Sequence, residues 1–223
     1  MKRPLVIHVA DRQMQEGIGA FFLRADWHIK LACERFDFDP KNRSDLFRIP
    51  GCTDPGLYQG AGANLRAHQS THAHAIVMLD SQFPGSPGTD DTAAEAIRAK
   101  VLGGLQSVGW QRDAIEVIVI RPMLEAWLWT DSPHVEGVFG HNPPPSLRQR
   151  MRDAGLWPAD AAKPTDLKTA TATAARWGGK KSDAALFKNV LGSGRSLTGC
   201  IEPGFVLLRQ TLKRWFPPEA PAQ

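Results

Sequence analysis

Two short apolar runs, Ala75 to Leu79 and Ile115 to Ile120, enclose one amphipathic stretch, and an acid stands at or just beyond the end of each. Runs of this length, rich in Ile and Val, suit buried strands. Between them Ile97, Val101, Leu105 and Val108 recur on one helical face, and Thr92-Ala93-Ala94-Glu95 fits a capping box that starts a helix near Thr92. Strand, helix and strand at this spacing form a βαβ unit with a right-handed crossover, so both strands run parallel and end at the same edge. Asp80 closes the first strand and Glu125 follows the second, which makes them neighbours at the edge where open α/β sheets keep their ligand sites.

The rest of the chain extends this pattern. Leu5 to Ala10 is a β-branched run that leads through Asp11 into a helix carrying Ile18, Phe21 and Phe22. Ile29 to Phe38 is expected to hold a second strand, followed by a polar turn over 37–43. Residues 50–68, rich in Gly and Pro, are expected to be an irregular, mobile connector. Pro122 suits the first turn of a helix, which places Glu125 in the opening turn of a helix from Met123 to Trp129. With 223 residues, 42% of them apolar, the chain is large enough for one sizeable α/β core. A division follows: residues 1–131 as an α/β domain with a mostly parallel sheet flanked by helices, and residues 132–223 as a C-terminal helical extension packed on it. Prolines interrupt the start of that extension, a basic loop follows, and a last helix from Pro203 to Trp215 turns Phe205, Leu208, Leu212 and Trp215 to one side.

Three cysteines, Cys33, Cys52 and Cys200, are widely spaced and form no C-x-x-C pair, so neither a disulfide framework nor a zinc knuckle is indicated and a reducing cytoplasm fits. No stretch has the apolar length of a signal peptide or a membrane span, so no membrane partner is expected. The net charge of +4 permits contact with phosphate without demanding it.

Asp80 and Glu125 at one sheet edge form a pair of hard oxygen donors of the kind that binds Mg²⁺ for phosphate chemistry. The first strand offers a third carboxylate, Asp11, whose ordinary role is to cap the following helix; Glu16, one turn later, is a solvated helix residue. His72 and His74 alternate on one strand face, but nothing else in register completes a zinc site. Gly178-Gly179-Lys180-Lys181-Ser182 lacks the first glycine and the final hydroxyl of a phosphate-binding loop. Lys163, Lys168, Arg176, Lys180, Lys181 and Arg195 instead supply positive charge that nucleic-acid phosphates can meet, with a solvated basic surface as the alternative. Trp127 and Trp129 stand beside Glu125 where bases could stack, but Trp127 is expected in the core, since Met123 and Trp127, like Leu124 and Leu128, are four apart.

The acid after the first strand, Asp80 after a later one, and Glu125-Ala126-Trp127-Leu128-Trp129-Thr130-Asp131 together resemble the TOPRIM-like proteins related to RloB and the OLD nucleases, many of them bacterial phage-defence proteins. The tail, with Pro164, Lys168, Leu186-Phe187, Gly199-Cys200 and Phe205 to Trp215, is similar to the helical end of those proteins. The resemblance implies a TOPRIM-like fold and a metal-dependent nuclease. In that family a Glu after the first strand and an Asp-x-Asp after a later one hold the metal used on phosphodiester bonds. Here Asp11 stands where the Glu is expected, and Asp80-Ser81-Gln82 replaces the Asp-x-Asp. The implied site is therefore Asp80 and Glu125 with Asp11 and Gln82 around Mg²⁺, and Lys168, Arg176, Lys180 and Lys181 positioning a nucleic acid. The loss of one charge at Gln82 supports an alternative, a degenerate subunit that binds nucleic acid or another defence-system protein without cleaving.

Overall fold

A computed structural model describes residues 1–129, 133–142, 144–193, 197 and 200–218. Its centre is a four-stranded, all-parallel sheet in the order β2-β1-β3-β4, built from β1 (Arg3–Val9), β2 (Leu46–Phe47), β3 (His72–Asp80) and β4 (Ile115–Ile120). The α/β class with helices on the sheet is as expected, and it is consistent with a TOPRIM-like fold. Every residue of β4 is buried, as a strand covered on both faces must be.

Helix α1 (Arg12–Phe22) follows β1, and α4 (Asp91–Ser107) makes the crossover from β3 to β4, burying Ile97, Val101 and Leu105. Its N-cap is Asp90, whose carboxylate accepts from the Ala93 amide at 2.7 Å, so the cap lies two residues before the expected Thr92. An ionised oxygen at that position serves the helix terminus better than a hydroxyl.

Three expectations are corrected. The segment Ile29 to Phe38 holds no strand: α2 (Trp27–Leu31) occupies its start and ends at Ala32 in the left-handed region (φ 52°). The aromatic rings there serve a cluster instead of a ladder, with Phe22 against Trp27 and Phe38, and Trp27 against Phe36. The strand that adds to β1 is the two-residue β2. Residues 50–68 are not an irregular connector either, since α3 (Asp54–Leu65) fills most of that range. Its glycines permit close packing: a Cβ on Gly62 would lie 2.2 Å from the carbonyl oxygen of Gly104, so α3 and α4 approach backbone to backbone. Finally, Glu125 sits in a 3₁₀ turn, Leu124–Trp127, rather than an α-helix, and Pro122 stands outside it. The Pro122 carbonyl instead accepts from the amides of Ser81 (3.1 Å) and Gln82 (3.0 Å), which fixes the chain before the turn begins.

After β4 come α5 (Pro133–Val138), α6 (Leu147–Asp153), α7 (Leu167–Trp177), α8 (Ala184–Leu191) and α9 (Pro203–Trp215). Helix α8 packs on α1, and α9 on β4 and α2. The Cβ of a residue replacing Gly204 would lie 3.0 Å from the Val119 carbonyl, so α9 also depends on a glycine for its approach. Phe205, Leu208 and Leu212 are buried, and Trp215 stacks on His74 at 4.4 Å. His72 lies elsewhere, 3.4 Å from Asp45, so the two histidines serve separate contacts. Trp127 is a core residue, as expected, and Trp129 is buried as well. No helix among the described residues is long and apolar enough to cross a membrane. Asp131, Arg195 and Gly199 lie outside the described residues.

Candidate functional site

The C-terminal edge of the sheet gathers the acids. Asp80 is the last residue of β3, in register with Ile120. The Ser81 amide donates to the carbonyls of Ile120 (2.8 Å) and Pro122, which ties the two strand exits together and leaves the Glu125 turn beside Asp80. Asp11 sits just past β1 as the N-cap of α1, its Oδ1 accepting from the Met14 amide at 2.8 Å. The capping role weighed for it is realised, and the same carboxylate raises the pKa of Asp80, Asp54 and Glu125 by its charge.

Sequence reasoning missed the fourth member. Asp54 opens α3, and its Oδ1 accepts from the Asp80 amide at 2.8 Å, so it lies directly over the strand end. The clue was present in Thr53-Asp54-Pro55, an N-cap residue followed by proline in the first helical turn, with Leu57, Ala61 and Leu65 four apart beyond it. Asp54 restores, from another element, the negative charge that Gln82 does not carry.

The electrostatics are those of confined like charges. Burial, then the charges of Asp54, Glu125 and Asp11, push the Asp80 carboxyl well above the usual carboxylate range, although the Leu124 amide pulls the other way. The Asp80 Oδ1 is sealed from solvent and has no hydrogen-bond partner. Burial also raises Glu125 and Asp54, and in both Lys168 opposes the rise. No Lys or Arg among the described residues stands within 4.0 Å of any of the four carboxylates. Arg121, at the exit of β4, is engaged by Asp91 instead.

Lys168 reaches this neighbourhood because α7 is docked on the 3₁₀ turn. Trp129 donates its indole N–H to Thr171 at 3.0 Å, and Asp166 caps α7 through the Thr169 amide at 3.0 Å. Lys163 is committed elsewhere, to the Ala126 carbonyl (2.5 Å) and Glu202 (2.6 Å), where it ties α9 to the same turn. Arg176 lies about 12 Å further along α7 than Lys168, and Lys180 and Lys181 follow that far end; all three are exposed. Of the expected phosphate-binding residues, the structure therefore brings only Lys168 to the acids. Gln82 is exposed and lines a cleft of 670 Å³ with Phe83, Pro122, Met123 and the start of α7, Lys168 included.

Carboxylate oxygens are the right donor chemistry for Mg²⁺ or Mn²⁺, and a buried, unpartnered carboxylate oxygen is what a cation would satisfy. Among the described residues, however, no three His, Cys, Asp or Glu side chains are gathered closely enough to hold one ion by themselves. The arrangement fits an ion held by one or two carboxylates and completed by water and a substrate phosphate, the usual habit of Mg²⁺. Comparison of the chain with protein-family models, with curated proteins and with solved structures finds no match in any of the three.

Proposed function

We propose that the C-terminal edge is a divalent-cation site for phosphodiester chemistry, making the protein a nuclease-like enzyme. The observation that carries this reading is Asp80: a strand-end carboxyl with a sealed, unpartnered oxygen, surrounded by Asp54, Glu125 and Asp11 rather than by cations. Such an arrangement is unfavourable unless a cation or proton enters, and perturbed groups of this kind concentrate at functional sites. Asp80 and Glu125, with Asp54 or Asp11 beside them, would hold Mg²⁺; the bound ion would polarise the phosphodiester and acidify a water. The chain itself supplies the raised carboxyl of Asp54 to take up a proton beside the site, and Lys168 to orient a phosphate oxygen at the adjoining cleft. A place beside other defence-system proteins, in a bacterial cytoplasm, is proposed on the sequence resemblance alone.

A second reading, a non-cleaving subunit that binds nucleic acid or a partner protein, is favoured by the lack of a gathered ligand trio among the described residues and by Gln82. Incubation of labelled DNA and RNA with Mg²⁺ or Mn²⁺ separates the two. Cleavage that needs the metal and is abolished by Asp80→Ala is expected. Inactivity on both nucleic acids in both metals would leave the binding subunit.

A further inference from the structure

The same sheet edge continues past Asp11 into a second, oppositely charged feature. Phe47 of β2 is in register with His8, so Arg48 leaves the sheet at the level of Val9, on the side where Asp11 and Asp80 stand. Arg12 is the first residue of α1, immediately after Asp11. With Lys41 and Arg43 from the preceding turn, and Lys188 from α8, they line an open groove of 520 Å³ between α1 and β2. Glu16 is the sole acid lining it, and it is paired with Lys188 at 3.8 Å. Arg12, Lys41, Arg43 and Arg48 have no carboxylate partner among the described residues. The Arg48 Nε is buried and lacks any hydrogen-bond acceptor. A buried guanidinium N–H without an acceptor is costly, and four uncompensated cations around one groove repel one another, so the groove is built for an anion.

We infer that this groove carries the phosphate backbone of a single-stranded nucleic acid toward the acid site. Strand order puts β2, β1 and β3 side by side, so Asp80 lies two strand spacings across from Arg48 and two residues further along, about 12 Å away along the backbone plane. A few nucleotides of extended backbone bridge that gap, with phosphates on Arg48 and Arg12 and the next one over the carboxylates. Guanidinium groups suit this task because they offer planar, forked donors to phosphate oxygens. The inference rests on the phosphodiester reading of the acid site for the direction of the strand, and assigns nucleic-acid binding to a surface different from the far end of α7.

The test measures binding of a fluorescein-labelled single-stranded DNA oligonucleotide to the full chain by anisotropy, in EDTA, across a salt series. Arg12→Ala/Arg48→Ala is expected to bind about tenfold more weakly, and to lower the slope of log K against log salt by about 0.7 per residue removed. Lys180→Ala/Lys181→Ala is expected to leave that slope unchanged. Equal binding by the wild type and the groove variant, or a slope lost only in the α7 variant, overturns the inference. Displacement of the oligonucleotide by poly-glutamate at the same charge concentration also overturns it, since the groove is then a general anion surface. Melting temperatures confirm that the variants are folded. Mn²⁺-dependent hydrolysis of bis(p-nitrophenyl) phosphate, too small to reach the groove, keeps the two readings apart. Hydrolysis that persists while the groove variant binds like wild type rejects the groove alone. No hydrolysis by any form, with oligonucleotide binding lost in the groove variant, rejects the acid site and upholds the groove.

Discussion

The two edges of one parallel sheet treat buried carboxylates in opposite ways. At the strand starts, Asp45 is fully buried, and burial pushes its pKa up; yet Arg3, the Asp39 amide and His72 outweigh that and hold it below the usual range. Arg3 donates through Nε and Nη2 to the two carboxylate oxygens, each at 2.5 Å, in a forked pair. Glu116, buried within β4, is likewise met by Arg98 at 2.7 Å and Arg214 at 3.6 Å. At the strand ends, Asp80 faces Asp54, Glu125 and Asp11 and is driven the other way. The chain evidently can neutralise an acid in its interior. Leaving Asp80 without a cation is therefore a property of that edge, and it separates a structural carboxylate from a candidate functional one.

The largest expected effect lies at the strand starts. Asp45→Ala strips Arg3 and His72 of their shared partner and should destabilise the fold by about 3–5 kcal/mol, read from denaturant unfolding. A loss under about 1 kcal/mol would mean that this pair behaves like a surface ion pair, and the contrast between the edges would collapse.

Next comes pH. Burial lowers His8 to about 4, so between its unfolded pKa of about 6.5 and 4 the unfolded chain binds more protons, and stability falls with pH across that window by about 3 kcal/mol. The raised carboxyls at the strand ends act with the opposite sign: the folded state binds more protons, so they favour folding as pH falls through their folded pKa toward the unfolded one near 3.8. Stability of Asp80→Asn should therefore drop more steeply from pH 6.5 to 4 than that of the wild type. Parallel curves would remove the acid cluster from the account.

A smaller effect tests how Asp54 is placed. Gly62→Ala forces α3 away from the Gly104 carbonyl and should cost about 1–3 kcal/mol, while weakening any Mn²⁺-dependent stabilisation because Asp54 moves with its helix. Unchanged stability would show that α3 and α4 can separate freely.

How much of this could be read from the residues alone differs between the same regions. The β3, α4 and β4 unit and α9 were legible because each keeps one apolar period from end to end, and burial follows that period. Asp80, Glu125 and Asp11 were placed correctly at one edge by parallel topology alone. Helix α3 was hidden because Gly56, Gly60 and Gly62 look like breakers until Gly104 is known to lie against Gly62, a contact far away in sequence. Asp54 was lost with its helix. Strand β2 was invisible because two residues carry no period, while the aromatic segment 29–38 imitated a strand and served a ring cluster. The side-chain partners of Asp45 come from the starts of two other strands, Arg3 of β1 and His72 of β3, which no local pattern announces.

The most direct test of the strand-end site is the melting temperature of wild type and Asp80→Asn, each with and without Mn²⁺. Without metal the variant should be the more stable, by the order of 1 kcal/mol commonly gained when a functional site is relieved. Addition of Mn²⁺ should then raise the wild type and leave the variant where it was. A variant less stable than wild type without metal, with neither protein responding to Mn²⁺, would contradict the account and make Asp80 an ordinary structural carboxyl.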